Sequence, residues 1–364
     1  MSVEILQVCP FSYRDPSGVS VHVQNISERL ARRHRVTVYA TNPGSKYPQH
    51  EVVNGVQVER FRREGPSEAY AFSLEMLLKL HKADFEILHS HCYHALPMHF
   101  STLAKRKRFV VTTHFHGVGH SSFRNSLLRL VKPMGKRTLK MADNIVAVSE
   151  YEKSLICRQF GFQSDRVVVI PNGVDFNEFL DLRRQDHESK TILHVGYLTA
   201  HKGAQYLIEV LPRLPDDVIL EIVGEGPLKP FLQKRIRELR VQDRVVFYHH
   251  LPRQELLQKY ANADVFILLS TQEAYALVVA EALVAGTPCI VANTSALSEW
   301  VDNKSCFGVS VPVNLGELTK LINHVLESSL GTRGLDRQLM RKWIGKKIPD
   351  WNDVANRLEE IYEQ

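Results

Sequence analysis

Residues 265–291 read VFILLSTQEAYALVVAEALVAGTPCIV. Five apolar residues at 265–269 give way to a polar turn, a segment of helical length follows at 276–285, Gly286 and Pro288 close it, and an apolar run restarts at 289–291. Short apolar runs on either side of a helical segment read as two buried strands joined by a crossover helix, which sets the strands parallel. The same alternation extends in both directions. Toward the N-terminus it predicts strands at 4–8, 35–39, 56–61, 85–89, 109–113, 144–148 and 167–170, with helices at 19–32, 67–80, about 123–140 and 150–159. Around the opening stretch it predicts strands at 191–195, 218–223, 245–248, 265–269 and 289–291. Helices are expected there near 203–211, 228–240, 253–261, 276–285 and 315–328. Alternation of this kind is the pattern of doubly wound α/β domains.

Two series in 364 residues predict two Rossmann-like domains, because a single core stops growing at roughly 250–300 residues. The polar run 181–190 lacks apolar periodicity and reads as a linker. The expected division is therefore 1–178, 179–342 and a closing segment 343–364, whose amphipathic run after Pro349 is a further helix.

Composition narrows the class. Hydrophobic residues at 44% and charged residues at 24% are ordinary for a globular chain and exclude a disordered or fibrous one. No apolar run approaches the ~18 residues of a spanning helix, and the N-terminus lacks a signal peptide's basic flank, so a cytoplasmic location is expected. The five cysteines, Cys9, Cys92, Cys157, Cys289 and Cys306, are odd in number and widely spaced, which reads as reduced thiols rather than disulfides or a zinc site.

Charge is uneven. Residues 1–178 hold 24 Lys and Arg against 16 Asp and Glu, whereas the remainder hold 22 against 24. Within the first half, residues 87–141 contain no acid at all. Such a stretch faces either solvent or something anionic: nucleic acid, an acidic leaflet or a phosphorylated substrate. No aromatic interleaving or nucleic-acid module accompanies it, so nucleic acid is not expected as a partner.

Several strand ends carry candidate chemistry. Gly18 opens a helix after the first strand and would let a ligand approach helix amides. The run VVTTHFHG at 110–117 ends a strand with His114, His116 and a glycine, at the edge where open α/β sheets bind ligands. His89, His91 and His94 follow the preceding strand, but without nearby carboxylates no metal is expected there. In the second half, Gly196 and the pair Lys202, Gly203 bracket a turn suited to phosphate, and GEGP at 224–227 does not complete a dinucleotide fingerprint. Glu273 stands ahead of an apolar helix and Glu281 within it. A carboxylate among Ala, Leu and Val needs a polar partner, either ligand hydroxyls or an internal cation.

Taken in order, VIPNGVD at 169–175, Gly196 with Lys202 and Gly203, GEGP at 224–227, YANAD at 260–264, Glu273 with Glu281, and GTP at 286–288 resemble the retaining glycosyltransferases of family 4, with the GT-B fold. GVSVH at 18–22 and residues 351–362 extend the resemblance over nearly the whole chain. It implies two Rossmann-like domains facing across a cleft, with the C-terminal helix returning to the first. It also implies an acceptor-binding N-terminal domain and a nucleotide-sugar-binding C-terminal one. No cofactor is implied; the donor is a nucleotide-diphosphate sugar, UDP- or GDP-linked. Lys202 would neutralise its diphosphate, Glu281 hold ribose, Glu273 hold the transferred sugar, and amides near Ala276 and Leu277 meet phosphate beside Gly196. Gly18 would approach the phosphate and His116, or in a second register His114, the sugar.

The activity so implied is sugar transfer to a hydroxyl acceptor with retention and without a metal. The alternatives are a nucleotide-sugar-binding protein that has lost catalysis and a GT-B epimerase. The basic stretch, with apolar residues interleaved at 123–134, extends the expectation to peripheral contact with an anionic membrane face. Three departures from the family are visible. Tyr197 stands where arginine is common, Tyr275-Ala276 replaces Phe-Gly, and Ser295-Ala296 replaces Gly-Gly.

Overall fold

The structure, a computed structural model, describes residues 2–64, 72–119, 122–185, 188–328 and 347–364. It divides into two compact units, Met1–Gly173 with Pro349–Gln364, and Val174–Ile348.

The first unit is built on an eight-stranded sheet of β1 (Glu4–Cys9), β2 (Arg35–Asn42), β3 (His50–Val53), β4 (Val56–Arg62), β5 (Asp84–His91), β6 (Lys105–Thr112), β7 (Asn144–Ala147) and β8 (Val167–Val169). Their spatial order is β3-β4-β2-β1-β5-β6-β7-β8, and every pairing is parallel except β3 with β4. The described helices are α1 (Gly18–Leu30), α2 (Leu74–Lys82), α3 (Leu96–Phe100), α4 (Ser122–Met141) and α5 (Glu150–Phe160). Strand β3 is absent from the expectation, although Asn54 and Gly55, both at positive φ, form the hairpin turn that such a dipeptide favours. Helix α2 begins at Leu74, where the Ser73 side chain accepts from the Met76 amide; of the predicted helix 67–80, residues 67–71 lie outside the described residues.

The second unit has six strands, β9 (Lys190–Val195), β10 (Val218–Val223), β11 (Val245–Tyr248), β12 (Val265–Leu268), β13 (Cys289–Ala292) and β14 (Cys306–Val309). They lie in the order β11-β10-β9-β12-β13-β14, all parallel. Helices α6 (Ala204–Val210), α7 (Lys229–Glu238), α8 (Arg253–Asn262), α9 (Leu277–Val284) and α10 (Leu315–Glu327) connect them. In chain order this is the 3-2-1-4-5-6 arrangement, whose direction reverses between β9 and β12; in the first unit it reverses between β1 and β5. Loops at the carboxyl ends of such strand pairs diverge and leave a crevice.

The run 181–190 is not a free linker. The Arg184 side chain donates to the Ala263 carbonyl at 3.2 Å and pairs with Asp264, and Gln258 donates to the Arg183 carbonyl at 2.7 Å. These bonds hold residues 183–184 on the second unit, and the division falls at Gly173, inside the PNGVD motif. The chain ends in α11 (Trp351–Glu363), which packs on α1. A Cβ on Gly173 would lie 2.7 Å from the Trp351 amide nitrogen, so only glycine lets the strand end pass beneath this helix.

Candidate functional site

In the second unit, β9 delivers Gly196 and then the turn to Lys202, and β12 delivers Glu273, so the two sides of the reversal point meet. Lys202 Nζ stands 2.5 Å from Glu273 Oε1, both largely shielded from solvent. Gly203 sits at φ +82, and a Cβ there would be 2.4 Å from the Leu269 carbonyl oxygen; the absence of a side chain is what brings Lys202 against the end of β12. Tyr197, beside Gly196, is 60% exposed and takes no part in this pair.

Helix α9 starts beside Glu273 with no side chain capping it. Its N-cap, Ala276, has φ 72, and Ser295 has φ 51. Both departures from the family's glycines therefore occupy backbone that favours glycine, at about 1–2 kcal/mol each. Ser295 recovers part of this, because its Oγ accepts the Glu273 amide at 3.1 Å. Uncapped first-turn amides and a lysine at one strand end are what an anion requires.

Glu281, one turn into α9, is buried and meets Arg253 Nη1 at 2.6 Å. Arg253 also reaches Glu178 at 2.7 Å. The polar partner demanded by the apolar surroundings is thus supplied from within the protein, by an arginine whose role the sequence did not signal. His194, on β9, is a second such residue. Burial pushes its imidazole down to about 4 despite a 3.0 Å hydrogen bond to the Ile267 carbonyl.

The first unit places its candidates differently. Ser17 caps α1, and a Cβ on Gly18 would meet nothing within 4 Å, so packing does not demand glycine there. His114 is buried at φ 45, its ring centroid 4.9 Å from His22 and 5.9 Å from His91, whereas His116 is half-buried and stacks on His94 at 4.2 Å. The two histidines of HFHG therefore enter separate clusters. Their loop hangs on Glu152, a fully buried carboxylate that accepts from the Thr113 hydroxyl, the Phe115 amide and, at 2.6 Å, the Val148 amide. Burial pushes this carboxyl up to about 7, against those hydrogen bonds.

The histidines that converge are His22, His91 and His114, rather than the consecutive set His89, His91 and His94. Burial, then neighbouring histidines, hold His91 and His114 well below the usual imidazole range, and burial brings His22 to about 4 despite Asn172. Asn172, from PNGVD, fixes His22 through a 2.8 Å bond to Nδ1.

A cavity of about 430 Å³ lies nearby in the same unit, lined by Tyr93, Phe115, Leu128, Arg129, Lys132 and Phe160 among others. The basic stretch does not form one surface. Lys105–Thr112 is strand β6, where Lys107 pairs with Glu86 at 2.8 Å, while Arg129, Lys132, Lys136, Arg137 and Lys140 are exposed on α4 beside Leu130, which is 77% exposed. No described helix is long and apolar enough to cross a membrane.

Two doubly wound units with an anion-suited reversal point define a GT-B protein, and solved structures agree. The sucrose-phosphate synthase of Thermosynechococcus elongatus superposes with TM-score 0.83 at 18% identity, covering 100% of this chain and 98% of that one. HepE of Anabaena, solved with UDP-glucose, gives 0.79 at 20% identity over 99% of both chains. In sequence, an uncharacterised glycosyltransferase of Methanocaldococcus jannaschii is 26% identical, covering 95% of this chain and 94% of its own. Residues 16–178 match Glycosyltransferase Family 4 and residues 176–344 match Glycosyl transferases group 1. The chain belongs to the family 4-like GT-B glycosyltransferases and is a glycosyltransferase enzyme.

Proposed function

We propose that this enzyme moves a sugar from a nucleotide-diphosphate sugar to a hydroxyl acceptor, with retention and with no divalent cation at the diphosphate. The observation that carries the reading is the Lys202–Glu273 pair beside the uncapped start of α9. In this reading the bond from the anomeric carbon to the diphosphate breaks, the bond to the acceptor oxygen forms, and the acceptor's proton leaves with the diphosphate. Lys202 and the amide of Leu277 stabilise the charge that develops on the leaving group, the role usually worth most in such transfers. Glu273, released from Lys202, accepts from sugar hydroxyls, and Glu281, already oriented by Arg253, accepts from ribose. His116, or His114, and Gly18 keep the roles that family membership suggests. HepE, bound to UDP-glucose, supports a uridine donor.

The acceptor side belongs to the first unit in this reading. Exposed Leu130 among the cations of α4, and a cavity with aromatic walls and Arg129 and Lys132 at its margin, suit an amphiphile with an anionic head group at a membrane surface. Thermal shift with UDP-, GDP- and ADP-sugars, followed by turnover without added magnesium or manganese, tests the donor half. Stabilisation by one nucleotide class with metal-free turnover is expected; a strict manganese requirement would overturn the mechanism.

A further inference from the structure

His22, His91 and His114 come from three separate elements, α1, β5 and the loop after β6, and each offers one ring nitrogen within 4.8 Å of the other two. The nitrogens without a hydrogen-bond partner are His22 Nε2, His91 Nδ1 and His114 Nε2, all buried. Three buried ring nitrogens without a partner are costly, since each forfeits about 1–3 kcal/mol of hydration.

Two of the three are lone pairs by construction. The second nitrogen of His22, Nδ1, faces Asn172 Oδ1 at 2.8 Å, and that of His91, Nε2, faces Gln7 Oε1 at 2.7 Å. An amide oxygen only accepts, so those nitrogens carry the protons and Nε2 of His22 and Nδ1 of His91 are left unprotonated. The other end of the same amide, Gln7 Nε2, donates to the Tyr362 hydroxyl at 3.3 Å. His114 is held over the other two by a left-handed backbone that a non-glycine residue adopts only at a cost, of a kind that collects at functional positions.

Nitrogens converging from three buried imidazoles, two of them oriented by an amide oxygen on the far nitrogen, are the donor set and outer shell of a transition-metal site. The geometry points to a metal site in the first unit that binds one first-row transition ion, Zn²⁺ in kind, through His22 Nε2, His91 Nδ1 and His114 Nε2. Metal–nitrogen bonds of about 2.0–2.1 Å require the nitrogens to draw in to roughly 3.3–3.6 Å, a small rotation of each ring. All-nitrogen ligation excludes Mg²⁺ and Ca²⁺, which take oxygen ligands. A fourth position is left for water. All three ligands belong to the first unit, and although His114 is also one of the two candidates for the sugar contact, the test below reads metal binding and not transfer.

The test uses the full chain, stripped with dipicolinate and titrated with Co²⁺. One equivalent should bind, with visible d–d bands that one equivalent of Zn²⁺ abolishes, and X-ray absorption should show three imidazole ligands. His91→Gln should weaken Co²⁺ binding at least 100-fold. Asn172→Ala, which leaves all three ligands, should weaken it about 10-fold. Absence of the bands in folded wild-type protein overturns the proposal whatever the variants do. So does an absorption spectrum dominated by oxygen ligands, or uptake unchanged in both variants.

Discussion

Lys202 and Glu273, 71 residues apart in the chain, are joined by an ion pair across the reversal point of the second sheet. A lysine already neutralised by a carboxylate is a weak anion trap, so in the proposed reading donor binding exchanges one partner for the other. Lys202→Ala is expected to lower kcat/KM by about 10²–10³, since Tyr197 offers no replacement charge. Glu273→Gln should instead leave nucleotide affinity unchanged or tighter while turnover falls. Steady-state kinetics with UDP inhibition constants separate the two, and parallel losses in both variants would dissociate the pair from the donor.

Glu281 and Arg253 act as one unit. Glu281→Gln should weaken nucleotide binding about tenfold with a small effect on stability. Arg253→Met leaves the buried Glu281 carboxylate without its cation, at a cost of about 3 kcal/mol. Isothermal titration beside thermal melts reads both; a destabilised Glu281→Gln with normal nucleotide affinity would make the residue purely structural.

Ala276→Gly should raise the melting temperature by about 1–3 °C, because it relieves a φ of 72 while costing some chain entropy. Ser295→Gly should give no such gain, since it also removes the hydroxyl that accepts the Glu273 amide. A rise of equal size in both would show that the Ser295 bond contributes nothing.

Stability should fall as pH drops below about 6.5. His22, His99 and His194 have folded values near 4, below the ordinary value of 6.5, and His89, His91 and His114 lie lower than that ordinary value as well. The unfolded chain therefore binds more protons than the folded one between pH 6.5 and 4. Each such group makes stability decline by up to ~1.4 kcal/mol per pH unit on acidification. Glu152 opposes this: its folded value, near 7, lies above the ordinary 4.5, so its contribution is full in acid and is lost as pH rises from 4.5 through 7. Melting curves from pH 4.5 to 7.5 should be dominated by the histidines, and a flat profile would contradict their burial.

The cations of α4 and exposed Leu130 predict flotation with anionic vesicles at low salt, reversed by salt and lost when Lys132, Lys136 and Arg137 are changed to Ser. Protein that stays unbound under those conditions points to a water-soluble acceptor.

By itself the sequence determined the fold class and most elements, but not the short β3, β14 (Cys306–Val309) and α3 (Leu96–Phe100). Apolar runs such as 191–195 and 218–223 have the period and length of buried strands, and glycine or proline stops leave few other readings. It also singled out Lys202 and Glu273, because polar residues at strand ends are conspicuous against that background. What only the tertiary structure decided are partnerships between distant positions: Arg253 with Glu281, Gln7 with His91, Asn172 with His22, and Glu152 beneath the HFHG loop. Local periodicity reports which face a side chain takes but not which remote group waits there. For the same reason the sequence set His91 beside His89 and His94, its neighbours in the chain, while folding set it beside His22 and His114.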